Sequence, residues 1–214
     1  MLEQLEFVEN RVIRVGAEAV IKEMSWKGLR LVAKHRVPKR YRVAEIDERV
    51  RRSRTLHEAK VLSHLSENGQ PVPLVLFLDL ANSIIYMQFI EGVELRSHHS
   101  PQRYAERLGE IVSSMHSMDI VHGDLTLANI LAGEDTGLWL VDFGLSAFNA
   151  DLEEKAVDIH LLERSAAGSF PDKAREFMQL FLRGYSRVVG REKTSEILEK
   201  VKEIRSRGRY VVRG

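Results

Sequence analysis

The chain has 214 residues, 44% hydrophobic and 29% charged, which is enough apolar mass for one domain or two small lobes and excludes a disordered composition. It contains no cysteine, so a disulfide framework, cysteine-ligated zinc and thiol catalysis are excluded and a reducing cytoplasm is the expected compartment. Net charge is +1, no window approaches the length of a membrane span, and Met1 to Asn10 carries three glutamates without a signal-like apolar run, so neither a membrane nor an export route is expected.

That near-neutral average hides two basic segments. Residues Lys34 to Arg54 hold nine Lys or Arg against three acids, and Ile204 to Gly214 adds Arg205, Arg207, Arg209 and Arg213 without an acid. A polyanion partner and a plain solvated surface both account for such charge.

The first third reads as strands. Arg11 to Val15, Val20 to Trp26 and Leu29 to His35 are short apolar or β-branched runs separated by Gly16-Ala17-Glu18-Ala19 and by Lys27-Gly28, which predicts an antiparallel meander. Arg54 to Leu65 has the spacing of a helix, ended by Pro71 and Pro73, and Leu74 to Leu80 and Ile84 to Phe89 complete a five-stranded sheet. The pattern changes after Gly92 to Ser100, a candidate hinge. Ser100 is expected to cap a helix with Pro101 at its first position. Further helices are expected at about Leu152 to Ser165, Lys173 to Val189 and Ser195 to Ser206, the last capped by Thr194.

Between these halves lies His122-Gly123-Asp124-Leu125-Thr126-Leu127-Ala128-Asn129, with Asp142-Phe143-Gly144 further on. Transfer of a γ-phosphoryl group needs positioning and charge neutralisation: magnesium ligands, a cation on the phosphates and a carboxylate aligned with the acceptor. Asp124 is the candidate catalytic carboxylate, and Asn129 and Asp142 supply the hard oxygen ligands that suit Mg2+. Ile130-Leu131 and Leu138 to Val141 can form a small hairpin carrying both ligands.

Upstream, Leu31-Val32-Ala33-Lys34 suits a strand that delivers a lysine to the phosphates of ATP, and Glu58 on the following helix could hold that ammonium extended. Gly16, Ala17, Glu18 and Ala19 stand where a phosphate cover belongs, but with a single glycine they also suit an ordinary hairpin turn. Met87-Gln88-Phe89-Ile90 occupies the place of the strand that binds adenine through the backbone of Gln88 and Ile90. Met87 either lines the back of that pocket or is simply core.

Taken together these residues resemble the protein-kinase superfamily and, within it, the minimal archaeal-type kinase/ATPase subunit of the KEOPS complex. The likeness also rests on Lys39-Arg40-Tyr41-Arg42, Arg54-Thr55-Leu56-His57-Glu58-Ala59, Glu154-Lys155-Ala156-Val157-Asp158, Leu162-Glu163-Arg164 and Arg205-Ser206-Arg207-Gly208-Arg209. It implies an α+β, minimal bilobal protein-kinase-like fold: residues 1–92 as an N-lobe of antiparallel sheet with one main helix, residues 93–204 as a helical C-lobe without an extended activation segment, and residues 205–214 as a basic tail. It further implies a cytoplasmic, ATP- and Mg2+-using subunit that works with a KEOPS transferase subunit and small accessory subunits. That assembly installs threonylcarbamoyl on adenosine 37 of tRNAs reading codons that begin with A, and the isolated subunit (auto)phosphorylates serine or threonine.

Departures from ordinary kinases sharpen the expectation. Gly123 replaces the arginine that pairs with an activation-loop phosphate, and the stretch from Gly144 to Asp158 is short. Asp158 is read either as a brace for the catalytic loop or as an exposed helix carboxylate. Thr126 stands where many serine/threonine kinases place a lysine, which disfavours transfer to a peptide more than nucleotide binding and makes water a credible acceptor. Arg205, Arg207 and Arg209 are read as a flexible arm for tRNA, or as a tail that packs on its own lobe through salt bridges. An independent serine/threonine kinase, a small-molecule phosphotransferase and a nucleotide-binding adaptor are the competing readings.

Overall fold

The computed structural model describes residues 6–39, 41–133 and 137–210, with side chains to residue 207. The chain divides into two compact units, Met1–Ile90 and Glu91–Gly214. The division falls two residues before the expected lobe boundary.

The first unit is a five-stranded antiparallel sheet with one long helix. Strands β1 (Val8–Val15), β2 (Val20–Trp26), β3 (Leu29–His35), β4 (Val75–Asp79) and β5 (Ile84–Gln88) lie in the order β1-β2-β3-β5-β4. β2 and β3 have the bounds read from the sequence, because the Lys27-Gly28 turn uses positive φ at both residues (47° and 80°) and fixes the register at Trp26 opposite Leu29. Pairing places Lys34 opposite Ile85 and Val32 opposite Met87 on one face, with Leu31, Ala33 and Tyr86 on the other. The second face is sealed by Phe7, stacked on Tyr86 at 4.3 Å, and by Trp26 edge-on to Phe77 at 4.9 Å.

The helix α1 (Ala44–Glu67) begins ten residues before the expected start at Arg54. Its first turns lack an apolar stripe, and polar ties hold them instead. Arg51 bridges Asp47 at 2.6 Å, the carbonyl of Arg36 at 3.4 Å and Ser83 at 3.3 Å, so the helix start is stitched to the end of β3 and to the β4–β5 turn. The bound Arg51 guanidinium holds the Asp47 carboxyl below the usual carboxylate range.

The second unit contains β6 (Val93–Glu94), α2 (Gln102–Ser117), β7 (Ile120–Val121), β8 (Ile130–Ala132), β9 (Leu138–Leu140), β10 (Ala147–Phe148), α3 (Leu152–Ser169) and α4 (Pro171–Tyr210). Pro101, rather than Ser100, occupies the N-cap of α2, and no side chain caps it. A capping box of Asp151 and Glu154 starts α3 at the expected residue. The two helices expected at the C-terminal end are both present within the segment named α4, separated by a kink at Gly190, whose φ of 85° and ψ of 167° only glycine adopts easily. Thr194 is therefore not a cap: its hydroxyl donates to the Gly190 carbonyl at 2.7 Å from inside the helix. The expected flexible arm is also corrected, since α4 continues through Tyr210.

Packing of α2 on α4 forms the main core. Leu108, Ile111, Val112 and Met115 face Phe177, Phe181 and Tyr185, all buried. The helices approach so closely that a Cβ on Gly109 would stand 2.0 Å from the Phe181 carbonyl oxygen, and one on Gly184 would stand 1.9 Å from that of Glu106. Either Gly109→Ala or Gly184→Ala should therefore force the helices apart and lower stability by about 1–3 kcal/mol or more. The check is the midpoint of chemical denaturation, which stays at the native value only if this close approach is absent in solution.

Candidate functional site

Lys34 and Glu58 meet within the first unit. Lys34 Nζ donates to Glu58 Oε1 at 2.6 Å, and Arg36 Nη2 donates to the other oxygen at 2.5 Å. All three are buried, with exposures of 5%, 0% and 3% for Lys34, Glu58 and Arg36. The sequence reading paired Lys34 with Glu58 but missed Arg36. Its signal was spacing, since residues two apart at the end of a strand share a face.

Gly16 to Ala19 forms the β1–β2 turn, closed by the Gly16 amide on the Ala19 carbonyl at 2.9 Å. Gly16 does not take a positive φ. Glu18 pairs with Arg54 of α1, and that hydrogen-bonded guanidinium holds the Glu18 carboxyl below its ordinary range. Gln88 ends β5 with its N–H already given to the Leu74 carbonyl at 2.9 Å, so an adenine contact there falls to its carbonyl oxygen. Ile90 lies two residues past the strand end. Met87 is buried on the face that carries Lys34.

Asp124, Asn129 and Asp142 belong to the second unit. Asn129 Nδ2 donates to both the backbone oxygen and the Oδ2 of Asp124, each at 2.9 Å. The amide nitrogen is thereby turned to the carboxylate, leaving Asn129 Oδ1 as the atom suited to a hard cation. The expected hairpin is present as β8 and β9, with Ile130 opposite Leu140, and the Val141 amide donates to the Asn129 carbonyl at 2.9 Å. This pairing carries Asn129 and Asp142 on adjacent chain ends. Asp142 itself has φ of 67°, a left-handed conformation that costs a non-glycine residue about 1 kcal/mol or more and recurs at functional sites. No cluster of three or more His, Cys, Asp or Glu suited to a metal occurs among the described residues. One Asp and one Asn oxygen are the kind of donor set that suits Mg2+, an ion that ordinarily completes its shell with phosphate oxygens and water.

His122 ties this pair to the rest of the loop. Its Nε2 donates to the Val141 carbonyl at 3.0 Å while Nδ1 accepts the Asp124 amide at 3.3 Å, which fixes the neutral tautomer. Its ring lies 4.5 Å from that of Phe143. Asp158 stands beneath, fully buried. One of its oxygens accepts the Gly123 amide at 2.9 Å, and the other accepts the His122 amide at 2.7 Å. The same oxygen lies 3.3 Å from His116 Nε2, and His116 Nδ1 lies 3.0 Å from the Tyr185 hydroxyl. Burial, with the Asp158 charge adding to it, pushes the Tyr185 hydroxyl pKa well above normal and keeps the phenol protonated. Its proton is then donated to His116 Nδ1, leaving Nε2–H for Asp158. Neither His116 nor Tyr185 was singled out from sequence, although a histidine on the apolar face of α2 calls for a buried partner.

Gly123 has φ of 77°, and a Cβ there would stand 2.0 Å from the Leu145 carbonyl oxygen. An arginine cannot replace it without moving the loop, so the missing side chain is a steric requirement of this backbone. In the C-terminal segment, Arg205 pairs with Glu163 at 2.5 Å and Arg207 with Glu153 at 2.7 Å, both on α3. The Arg209 side chain lies outside the described residues.

The fold is of the atypical-kinase type. The chain belongs to the RIO-domain family: the RIO domain matches residues 25–160. The KEOPS complex subunit Bud32 of Pyrococcus abyssi is 36% identical, covering 94% of this chain and 96% of that protein. The EKC/KEOPS complex subunit Tp53rkb of Mus musculus is 35% identical, covering 92% of this chain and 86% of that protein. A probable bifunctional tRNA threonylcarbamoyladenosine biosynthesis protein of Methanobrevibacter smithii is 39% identical over 94% of this chain, which spans only 37% of that longer relative. Among solved structures, the Rio2 kinase of Chaetomium thermophilum matches with a TM-score of 0.64 at 16% identity, covering 92% of this chain and 74% of that one. A second structure of it, described as an ADP/Mg2+-phosphoaspartate complex, gives 0.63 at 15% identity over 92% of this chain and 72% of that one.

Asp158→Asn would set an amide NH2 against one of the two backbone N–H groups that the carboxylate accepts, and so release the loop that carries Asp124. ATP turnover should fall about 10- to 100-fold, the range expected when a catalytic group is displaced by a fraction of an ångström. Steady-state phosphate release checks this, with Asp124→Ala as the baseline, and a rate within twofold of native would contradict the brace.

Proposed function

We propose that the chain is the Mg2+-dependent, ATP-hydrolysing subunit of a cytoplasmic KEOPS-type assembly that supports threonylcarbamoyl transfer to adenosine 37 of tRNA. The observation that carries this reading is the near full-length likeness to a KEOPS subunit of Pyrococcus abyssi, which matches 96% of that protein. The longer archaeal relatives, named for tRNA threonylcarbamoyladenosine biosynthesis, agree with it. The rigid Gly123 backbone supports it as well, since it has no side chain to receive an activating phosphate.

Each residue has a place in that chemistry. Mg2+, when bound, neutralises the developing charge on the phosphates. Asn129 Oδ1 and the Asp142 carboxylate are the protein atoms that would hold it, and Lys34, kept extended by Glu58, would set its ammonium on the α- and β-phosphates. The backbone of Gln88 and Ile90 reads adenine, and the Gly16–Ala19 turn covers the nucleotide with few amides. Asp124 orients the acceptor and takes its proton as the bond from Pγ to the leaving oxygen of ADP breaks. With Thr126 in place of a phosphate-neutralising lysine, water ranks above a foreign protein as acceptor, and serine or threonine on the chain itself comes next.

Partners follow from the same relatives: a transferase subunit, small accessory subunits and tRNA. Arg205 and Arg207 are paired with Glu163 and Glu153, so an RNA contact from this end would have to compete with those ion pairs, and Arg207, the more exposed of the two, is the better placed to do so. The test is ATP turnover by the chain alone, with tRNA, and with a purified transferase partner. Turnover should rise with the partner, vanish in Asp124→Ala and Asp142→Ala, and take threonylcarbamoyl formation with it. Arg207→Ala/Arg209→Ala should lower tRNA stimulation and reduce the salt slope of tRNA binding by about two. Modification that proceeds undiminished with Asp142→Ala would leave the adaptor reading in its place, and faster phosphate transfer to a foreign protein than to water would favour an independent kinase.

A further inference from the structure

Asp158, Leu162 and Ser165 stand at i, i+4 and i+7 on α3 and share one face of that helix. Asp158 and Leu162 are fully buried, and the Ser165 hydroxyl accepts the Leu127 amide at 3.0 Å. The helix therefore pins the catalytic loop on both sides of Asp124. Asp158 takes the amides of His122 and Gly123 before it, and Ser165 takes that of Leu127 after it.

The second pin falls where the loop turns toward Asn129. Leu127–Asn129 is a single 3-10 turn, closed by the Asn129 amide on the Thr126 carbonyl at 3.0 Å. The first amides of such a turn have no partner inside it, and the Thr126 side chain does not cap it. The Leu127 side chain is fully buried, and the acceptor for its amide comes from a different helix.

What the turn delivers is Asn129. Its Nδ2 is committed to the backbone oxygen and Oδ2 of Asp124, at 2.9 Å each, so the place of Oδ1 follows the place of the turn. The Asn129 carbonyl accepts the Val141 amide at 2.9 Å, which holds the end of the turn, while Ser165 holds its start. Mg2+ demands near-ideal octahedral geometry at short ligand distances, so a small slide of the turn costs metal affinity first.

We propose that Ser165 is a positioning residue that caps this turn from α3 and thereby sets Asn129 Oδ1 for a nucleotide-bound Mg2+. This rests on the reading of Asn129 as a metal ligand and adds a second anchor to it, distinct from Asp158, which acts on the other side of Asp124. Ser165 touches neither metal nor nucleotide in this role.

The test uses the full chain with Ser165→Ala, Asn129→Ala and the two combined. Without metal or nucleotide, hydrogen exchange of the Leu127 amide should quicken about tenfold in Ser165→Ala, the scale of one lost hydrogen bond, while the His122 and Gly123 amides on Asp158 keep native rates. The gain in ADP affinity that Mg2+ confers, read by calorimetry, should shrink about three- to tenfold, with affinity for Mg2+-free ADP within about twofold of native. Adding Ser165→Ala to Asn129→Ala should shrink that gain no further, because the atom being positioned is gone. Equal quickening of all three amides, an equal loss of ADP affinity with and without Mg2+, or a full further loss in the combined variant overturns the proposal. So does a gain that Asn129→Ala reduces and Ser165→Ala leaves at its native size. A gain untouched by Asn129→Ala refutes the metal role of Asn129 itself, and the proposal with it. If Ser165→Ala does not fold, Ser165→Cys, which offers a weak acceptor in the same place, is held to the same criteria.

Discussion

Two backbone amides, those of His122 and Gly123, end on the buried carboxylate of Asp158, and the geometry of the catalytic loop depends on that contact. A carboxylate accepting several donors in a dry interior is strongly held, because removing any donor leaves charge unmatched. From this anchor the order spreads outward. Gly123 can take its positive φ, His122 can bridge Asp124 to Val141, and Asn129 can set its amide nitrogen on Asp124 with its oxygen turned away. Leu127 is tied to the same helix, its amide donating to Ser165 at 3.0 Å.

The first unit uses a buried carboxylate in a comparable way. Glu58 fixes α1 to β3 through Arg36 and Lys34, as Asp158 fixes the catalytic loop to α3. In each case the acid is fully buried and its partners come from distant parts of the sequence. Many kinases make one of these arrangements conditional on a phosphate added to a loop. Here the glycine at 123 excludes the receptor, and only Leu145 to Asp151 separate Gly144 from the start of α3.

Much of this was legible in the sequence because it depends on local spacing. The short run Val20 to Trp26, bounded by the Gly16 to Ala19 stretch and the Lys27-Gly28 turn, gave away β2, and the offsets among Asp124, Asn129 and Asp142 marked them as candidates for a phosphoryl-transfer centre. What escaped depends on contacts distant in sequence. The first ten residues of α1 carry charges at no apolar period and are helical because Arg51 reaches Asp47, Ser83 and the Arg36 carbonyl. Thr194 has the look of a cap, but the true interruption is Gly190, a backbone choice with no side chain to announce it. The basic end was read by composition as an arm for RNA or as a tail packed on its own lobe through salt bridges, and composition could not choose: Glu153 and Glu163 on α3, far back in the chain, pair with Arg207 and Arg205 as the second reading has it. Arg36, His116 and Tyr185 were overlooked for the same reason: Arg36 acquires its role only where α1 brings Glu58 to it, His116 where α3 brings Asp158, and Tyr185 where α4 sets its hydroxyl on His116.

Both carboxylates hold their partners without any added phosphate, and this is the central claim of the account. The most direct measurement is the first-turnover time course of phosphate release from phosphatase-treated chain saturated with Mg-ATP. The account predicts release without a lag, at a rate that prior autophosphorylation does not raise. A lag that tracks phosphorylation of residues 143–157, with the rate rising severalfold as label accumulates there, would contradict it.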